Sequence, residues 1–219
     1  ELLTPNVYLD FMKYITLLGD GMSDEPIAEL GGKTPLQAAH TPNMDKLAQG
    51  GTIGVAATVP EAYHPGSDVA NLSVFGYDPA SCYTGRSPLE AASMGVELGP
   101  DDVAFRLNLV TLGVAGADMV MEDFSAGHIS TEEARELIEC LQAELGNDEF
   151  QFYPGVSYRH LLTFAGKADV TTTPPHDILG EPVAPHLPKG PGSDLFRTLI
   201  DRSEAILAEA EINRVRRDL

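Results

Sequence analysis

Two short strings in this chain carry residues of the right type and spacing to do chemistry. Asp20 sits between Gly19 and Gly21, directly after the apolar run Tyr14-Ile15-Thr16-Leu17-Leu18. A β-rich run of that length predicts a buried strand, and the glycines let the backbone turn sharply at its carboxyl end. Asp20 there can be a turn residue bonding its own backbone, or a hard-metal carboxylate ligand. Ser67 sits in His64-Pro65-Gly66-Ser67-Asp68. A serine at the start of a helix caps it, and one activated by a base or metal ion is a nucleophile. Pro-Gly-Ser-Asp occurs again at 191–194, followed by the helical apolar stripe Leu195, Phe196, Leu199 and Ile200. That pattern makes Ser193 a plain N-cap. At Ser67 the same tetrapeptide predicts an N-cap too, so a catalytic role there needs support from the longer surrounding string.

Several familiar sites are excluded. Gly32-Lys33-Thr34 ends like a phosphate-binding P-loop, but Ile27 stands where the first glycine is required. There is no Gly-x-Gly-x-x-Gly, Gly-x-Ser-x-Gly or Cys-x-x-Cys. Fourteen Lys and Arg against 33 Asp and Glu leave a net charge of −19 over 219 residues. Such a balance argues against nucleic acid or an anionic membrane as partner, while a small anion needs only a local arginine cluster. No apolar run is long enough to span a membrane, and no signal sequence opens the chain. Cys82 and Cys140 then read as free thiols in a reducing cytoplasm.

The elements that must position these residues follow from local pattern. Besides the strand at 14–18, residues 52–59 predict a second strand, so that Asp20 and Ser67 both approach the carboxyl edge of a sheet, where α/β folds bind ligands. Thr41-Pro42 opens a helix closed by Gly50-Gly51. Ser87 and Glu90 have capping-box spacing, for a helix ending near Gly95, and so do Ser130 and Glu133, for one running to about Leu145. Val103, Phe105, Leu107 and Leu109 alternate as in a half-exposed strand over 103–112, and 149–153 and 156–164 predict two more. Six prolines and three glycines make 174–192 a linker or an ordered loop, and a helix follows from Ser193. The divisions expected are an extension over 1–11, a first part over 12–98, an α+β unit over 99–205 and a return segment over 206–219. The final residues read as an interruption rather than an end.

The longer strings decide among these readings. Gly19-Asp20-Gly21-Met22-Ser23-Asp24, His64 through Ser73, and Gly76-Tyr77-Asp78-Pro79 through Arg86-Ser87-Pro88-Leu89-Glu90-Ala91 occur in order. Ser125-Ala126-Gly127-His128-Ile129, Pro154 through His160, and Pro174-Pro175-His176-Asp177-Ile178-Leu179-Gly180 follow them. Together they resemble the archaeal type of cofactor-independent (2,3-bisphosphoglycerate-independent) phosphoglycerate mutases, in the alkaline phosphatase superfamily. The resemblance implies an α/β, alkaline-phosphatase-like catalytic domain interrupted by a smaller inserted α+β domain. It also implies two divalent ions (manganese, magnesium or zinc), held in part by Asp20 and Ser67, with Ser67 as the phosphorylated nucleophile. His128, Arg159 and Asp177 match substrate-side positions, and Arg86, Arg214 and Arg217 are further candidates for the phosphate and carboxylate of phosphoglycerate. His128 also admits a capping role before Ser130, and any one arginine can be a surface charge. Family members are longer chains with later metal ligands, including an Asp-His pair that this sequence lacks. A homoserine kinase-like phosphotransferase of the same family, or a non-catalytic piece, are the alternatives.

Overall fold

The computed structural model describes residues 13–217, with side chains through Arg216. The extension at 1–11 and the side chain of Arg217 therefore lie outside the described residues. The chain divides into two compact units, 1–57 and 58–219.

In the first unit, Thr34 and Gln37 form a capping box for the short helix α1 (Pro35–Ala38). Helix α2 (Pro42–Gly50) has proline at its first position, as the Thr41-Pro42 signal predicts. The two expected strands do not form: 14–18 and 52–59 carry no ladder hydrogen bonds. Ile15, Leu17 and Ile53 are 83 %, 85 % and 76 % exposed. The reason is that a buried strand draws its hydrogen bonds and apolar contacts from neighbouring strands, and none among the described residues pairs with either run.

The second unit begins with three short helices, α3 (Ser67–Val74), α4 (Pro79–Cys82) and α5 (Arg86–Ser93). Strand β1 (Val103–Asn108) then lies beside β5 (Arg159–Phe164), which also pairs with β4 (Phe150–Val156) in an antiparallel sheet of order β1-β5-β4. The alternation in β1 is used on both faces. Phe105 and Leu107 pack on the main core, while Ala104 packs with Ala91 of α5 and Leu161 of β5. The expected single strand over 103–112 is broken because Leu109 turns into the core and its N–H donates to the Tyr158 carbonyl. The chain then forms the separate hairpin β2 (Thr111–Ala115) and β3 (Asp118–Asp123). Helix α6 (Thr131–Leu145) starts at the expected capping box: Ser130 Oγ accepts from Glu133 N, and Glu133 Oε2 accepts from Ser130 N. It buries Leu137, Ile138, Leu141 and Leu145 with Phe150, Phe152, Leu162 and Phe196.

Three serines expected as caps lie inside their helices instead: Ser67 and Ser193 at the first helical position, and Ser87 at the second. Helix α7 (Ser193–Glu209) is preceded by Gly192 at φ 82°, and Ser193 is buried at the first helical position. Gly85, at φ 132°, precedes α5. Ser87 Oγ instead accepts from Arg106 N, tying α5 to β1. Before α5 and α7 a glycine at positive φ makes the entry turn that a serine would have to strain to adopt. The 174–192 stretch is an ordered loop that runs along β3, through Gly180 N to Met121 O and Val183 N to Met119 O. A last helix, α8 (Glu211–Arg217), follows α7.

Candidate functional site

Ser67 is the first residue of α3, and Gly66 is the N-cap with no side-chain cap bond. The position places Ser67 among the backbone N–H groups that a helix start leaves without helical partners. Asp68, next to it, accepts a 2.5 Å hydrogen bond at Oδ2 from the hydroxyl of Tyr83, which ends α4. Burial raises the Asp68 carboxyl, but the Tyr83 hydroxyl, the local backbone N–H groups and the Arg86 charge outweigh it and hold it below its ordinary value. Burial, the bond to Asp68 and the Asp68 charge push Tyr83 up to about 12, against the opposing charge of Arg86. Arg86, opening α5, also pairs with Glu90 at 3.4 Å, and Glu90 pairs with Arg106 at 3.1 Å. The structure thus brings Ser67 and Arg86 into one neighbourhood by way of Asp68 and Tyr83. Neither of these two linking residues was singled out in the sequence, although Asp68 adjoins the serine.

Asp20 is exposed in the turn at Gly19-Asp20-Gly21 of the first unit, with Gly21 at φ 74°. Among the described residues no group of three or more His, Cys, Asp or Glu gathers as a metal shell would. These residues by themselves therefore do not fit a two-ion centre, which needs several oxygen or nitrogen donors.

A second cluster lies where β3 leads into α6. Asp123 Oδ1 accepts from Ser125 N at 2.8 Å and Ser125 Oγ at 2.7 Å, and its Oδ2 accepts from Gly127 N at 2.6 Å. Those Ser125 bonds, helped by Gly127 and the His128 charge against burial, hold the Asp123 carboxyl below its usual value. The chain is wrapped so tightly around this carboxylate that Ala126, Gly127 and His128 are all left-handed, at φ 51°, 66° and 54°. For the two residues with side chains this is a strained conformation, which proteins tend to keep at working sites. His128 is exposed, and the cap of α6 is made by Ser130 and Glu133 without it.

The turn between β4 and β5 docks on this loop: Ser157 Oγ donates to Ile129 O at 2.8 Å, and Ser157 N donates to Thr131 Oγ1 at 3.1 Å. From there a line of rings runs outward. The Arg159 guanidinium stands 5.6 Å from the Tyr158 ring, Tyr158 meets Phe124 edge-on at 5.9 Å, and Phe124 meets His176 at 6.2 Å. His176 Nε2 lies 3.5 Å from Asp177 Oδ1. His128, Arg159 and Asp177, far apart in sequence, are thereby carried by segments packed on one another. Phe124 and Tyr158 do the joining, and of the three candidates only Arg159 has one of these aromatics beside it in the sequence. Arg214 does not join them; it pairs with Glu209 and Glu211, both at 3.4 Å, close by in the chain. Arg216 instead reaches the loop, with Nη1 3.1 Å from Glu133 Oε2 and Nη2 donating to the Ala126 carbonyl.

No helix among the described residues is long and apolar enough to cross a membrane. Residues 48–213 match the family described as 2,3-bisphosphoglycerate-independent phosphoglycerate mutase. A Geobacter sulfurreducens protein named "Probable 2,3-bisphosphoglycerate-independent phosphoglycerate mutase" is 66 % identical over 197 residues, covering 90 % of this chain and 49 % of the relative. The PH0037 protein of Pyrococcus horikoshii aligns with a TM-score of 0.64 at 30 % identity, over 91 % of this chain and 45 % of that one. A cofactor-independent phosphoglycerate mutase from Thermoplasma acidophilum aligns with a TM-score of 0.52 at 28 % identity, over 90 % and 53 %. The chain spans about half the length of the curated relatives it matches. With most of its residues inside the family match, the chain belongs to the 2,3-bisphosphoglycerate-independent phosphoglycerate mutase family.

Proposed function

We propose that the whole protein is a cytoplasmic isomerase that interconverts 3-phosphoglycerate and 2-phosphoglycerate, with Ser67 carrying the phosphoryl group between them. The observation that carries this reading is the placement of Ser67 at the first position of α3, beside Asp68, Tyr83 and Arg86. Ser67 Oγ attacks the phosphorus, the bond to the 3-oxygen breaks, and that oxygen takes up a proton. The glycerate turns over in the site, its 2-oxygen attacks the phosphoserine, and Ser67 Oγ leaves and is reprotonated. The positive end of α3 and the Arg86 guanidinium suit the charge on the transferring group. His128, Arg159 and Asp177 are proposed on the substrate side, where the fork of Arg159 matches a carboxylate or phosphate. Arg217 is kept as a further substrate-side candidate from the resemblance, whereas the local pairing of Arg214 favours a surface role.

In this reading residues 12–98 belong to an alkaline-phosphatase-like catalytic domain, and 99–205 form the α+β unit inserted in it. Asp20 and Ser67 are each proposed as oxygen donors to divalent ions, with the remaining donors outside the described residues. The test is mapping of phosphopeptides after incubation of the full-length protein with 3-phosphoglycerate. Phosphate is expected on Ser67, and Ser193→Ala is expected to keep turnover. Turnover retained by Ser67→Ala overturns the assignment.

A further inference from the structure

The Asp123–Ser130 loop is held from two sides by different chemistry. From within, the Asp123 carboxylate collects Ser125 N, Ser125 Oγ and Gly127 N. These bonds satisfy donors only and do not engage the carbonyl of Ala126. From outside, Arg216 of α8 supplies the missing donor to that carbonyl, while its other arm binds Glu133, 83 residues earlier in the chain. Glu133 also accepts from Ser130 N and Ser130 Oγ, so the guanidinium joins the strained loop to the capped start of α6. Gly127 fits the same arrangement: a Cβ there would stand 3.3 Å from Arg216 Nη2, on a backbone at φ 66°. Both arms of Arg216 are engaged by protein groups, and His128 lies in the chain between the two residues they bind, Ala126 and Glu133.

We propose that Arg216 is a positioning residue that holds the 126–128 backbone in its left-handed path and thereby sets where the exposed His128 ring stands. The proposal rests on the reading of His128 as a substrate contact. A planar fork binds a carbonyl and a carboxylate at once; the single ammonium of lysine meets one of them.

The experiment uses the full-length enzyme as Arg216→Ala, Arg216→Lys, His128→Ala and the Arg216→Ala/His128→Ala double variant. Steady-state kinetics with 3-phosphoglycerate are combined with amide hydrogen exchange at Gly127 and His128 in the substrate-free proteins. Arg216→Ala is expected to speed exchange at both amides and to raise KM about tenfold with a smaller change in kcat, the scale of one lost charge-assisted hydrogen bond. Arg216→Lys keeps a positive charge near Glu133 and is expected to shift exchange and KM in the same direction. In the His128→Ala background, Arg216→Ala is expected to raise KM no further, because its effect passes through that ring. Unchanged exchange in Arg216→Ala, wild-type behaviour of Arg216→Lys, or fully multiplicative effects in the double variant would each overturn the proposal. An unchanged KM in His128→Ala separately overturns the substrate reading of His128, and the exchange data then decide alone whether Arg216 sets the loop.

Discussion

His160 is a histidine with almost no access to solvent, at 2 % exposure. It shares the core-facing side of the sheet with Leu107, its partner across β1 and β5. Its Nδ1 accepts from Gly155 N at 3.0 Å, and Nε2 is buried with no partner among the described residues. Burial pushes its pKa down from 6.5 to about 4. The folded chain therefore binds this proton less readily than the unfolded chain does. The stability it contributes is full above pH 6.5 and is lost as pH falls toward 4, by an amount on the order of 3 kcal/mol. Urea denaturation across that range checks this, with His160→Gln expected to flatten the slope. An equal slope in both proteins would place the titration elsewhere. Asp123 and Glu133, whose carboxyls are held below their ordinary values, lose their contribution only at more acid pH.

Helix α6 is the element most legible in the sequence, because everything it needs lies within its own residues. Ser130 and Glu133 set its start, Gly146 follows its end, and the spacing of Leu137, Ile138, Leu141 and Leu145 sets its buried face. Ser130→Ala is expected to lower stability by about 1 kcal/mol through loss of the cap. Ile138→Ala, at a fully buried position, is expected to lower it by about 2–5 kcal/mol. Chemical denaturation of both variants checks the order, and a larger loss from Ser130→Ala would show that the cap, not the core, sustains the helix. β1 was less legible, since nothing local says that Leu109 leaves the strand for the core or that α5 covers the opposite face. Ser193 and Ser87 were misassigned for a related reason. Capping pattern identifies a helix start to within one or two residues, but Gly192 and Gly85 make the entry turns and release Ser193 to packing and Ser87 to a tether.

Across the chain as a whole, charge and apolar exposure oppose one another. A net charge of −19 favours dispersion, yet Tyr14, Ile15, Leu17, Ile53 and Val55 stand in solvent at 76–104 % exposure. No residue described in the first unit is buried, whereas the second holds the core of α6, α7 and the three-stranded sheet. Residues 1–219 purified alone are expected to self-associate through the exposed runs and to show negligible mutase turnover with manganese or magnesium. Hydrogen exchange is expected to stay slow in α6 and β5 all the same. Light scattering and a coupled assay check this. A monodisperse monomer with the turnover of a full-length relative would contradict the expectation.

The capping box of α6, the family resemblance and the existence of two strands, expected at 149–153 and 156–164 and found at 150–156 and 159–164, could be read from the chain in order, since each depends on neighbours a few residues away. So could Ser67 and His128 as candidates, from the strings around them. What the chain in order could not show is which candidates meet. Arg159 reaches the His128 loop through Tyr158, Phe124 and the Ser157 turn, the Arg86 charge bears on the Tyr83–Asp68 pair beside Ser67, and Arg216 rather than Arg214 closes on Ala126 and Glu133. Those choices depend on the direction of helices and on sheet register across tens of residues, and only tertiary packing sets them. The same dependence accounts for the apolar runs at 14–18 and 52–59. β pattern alone makes no strand where no neighbouring strand completes its hydrogen bonds.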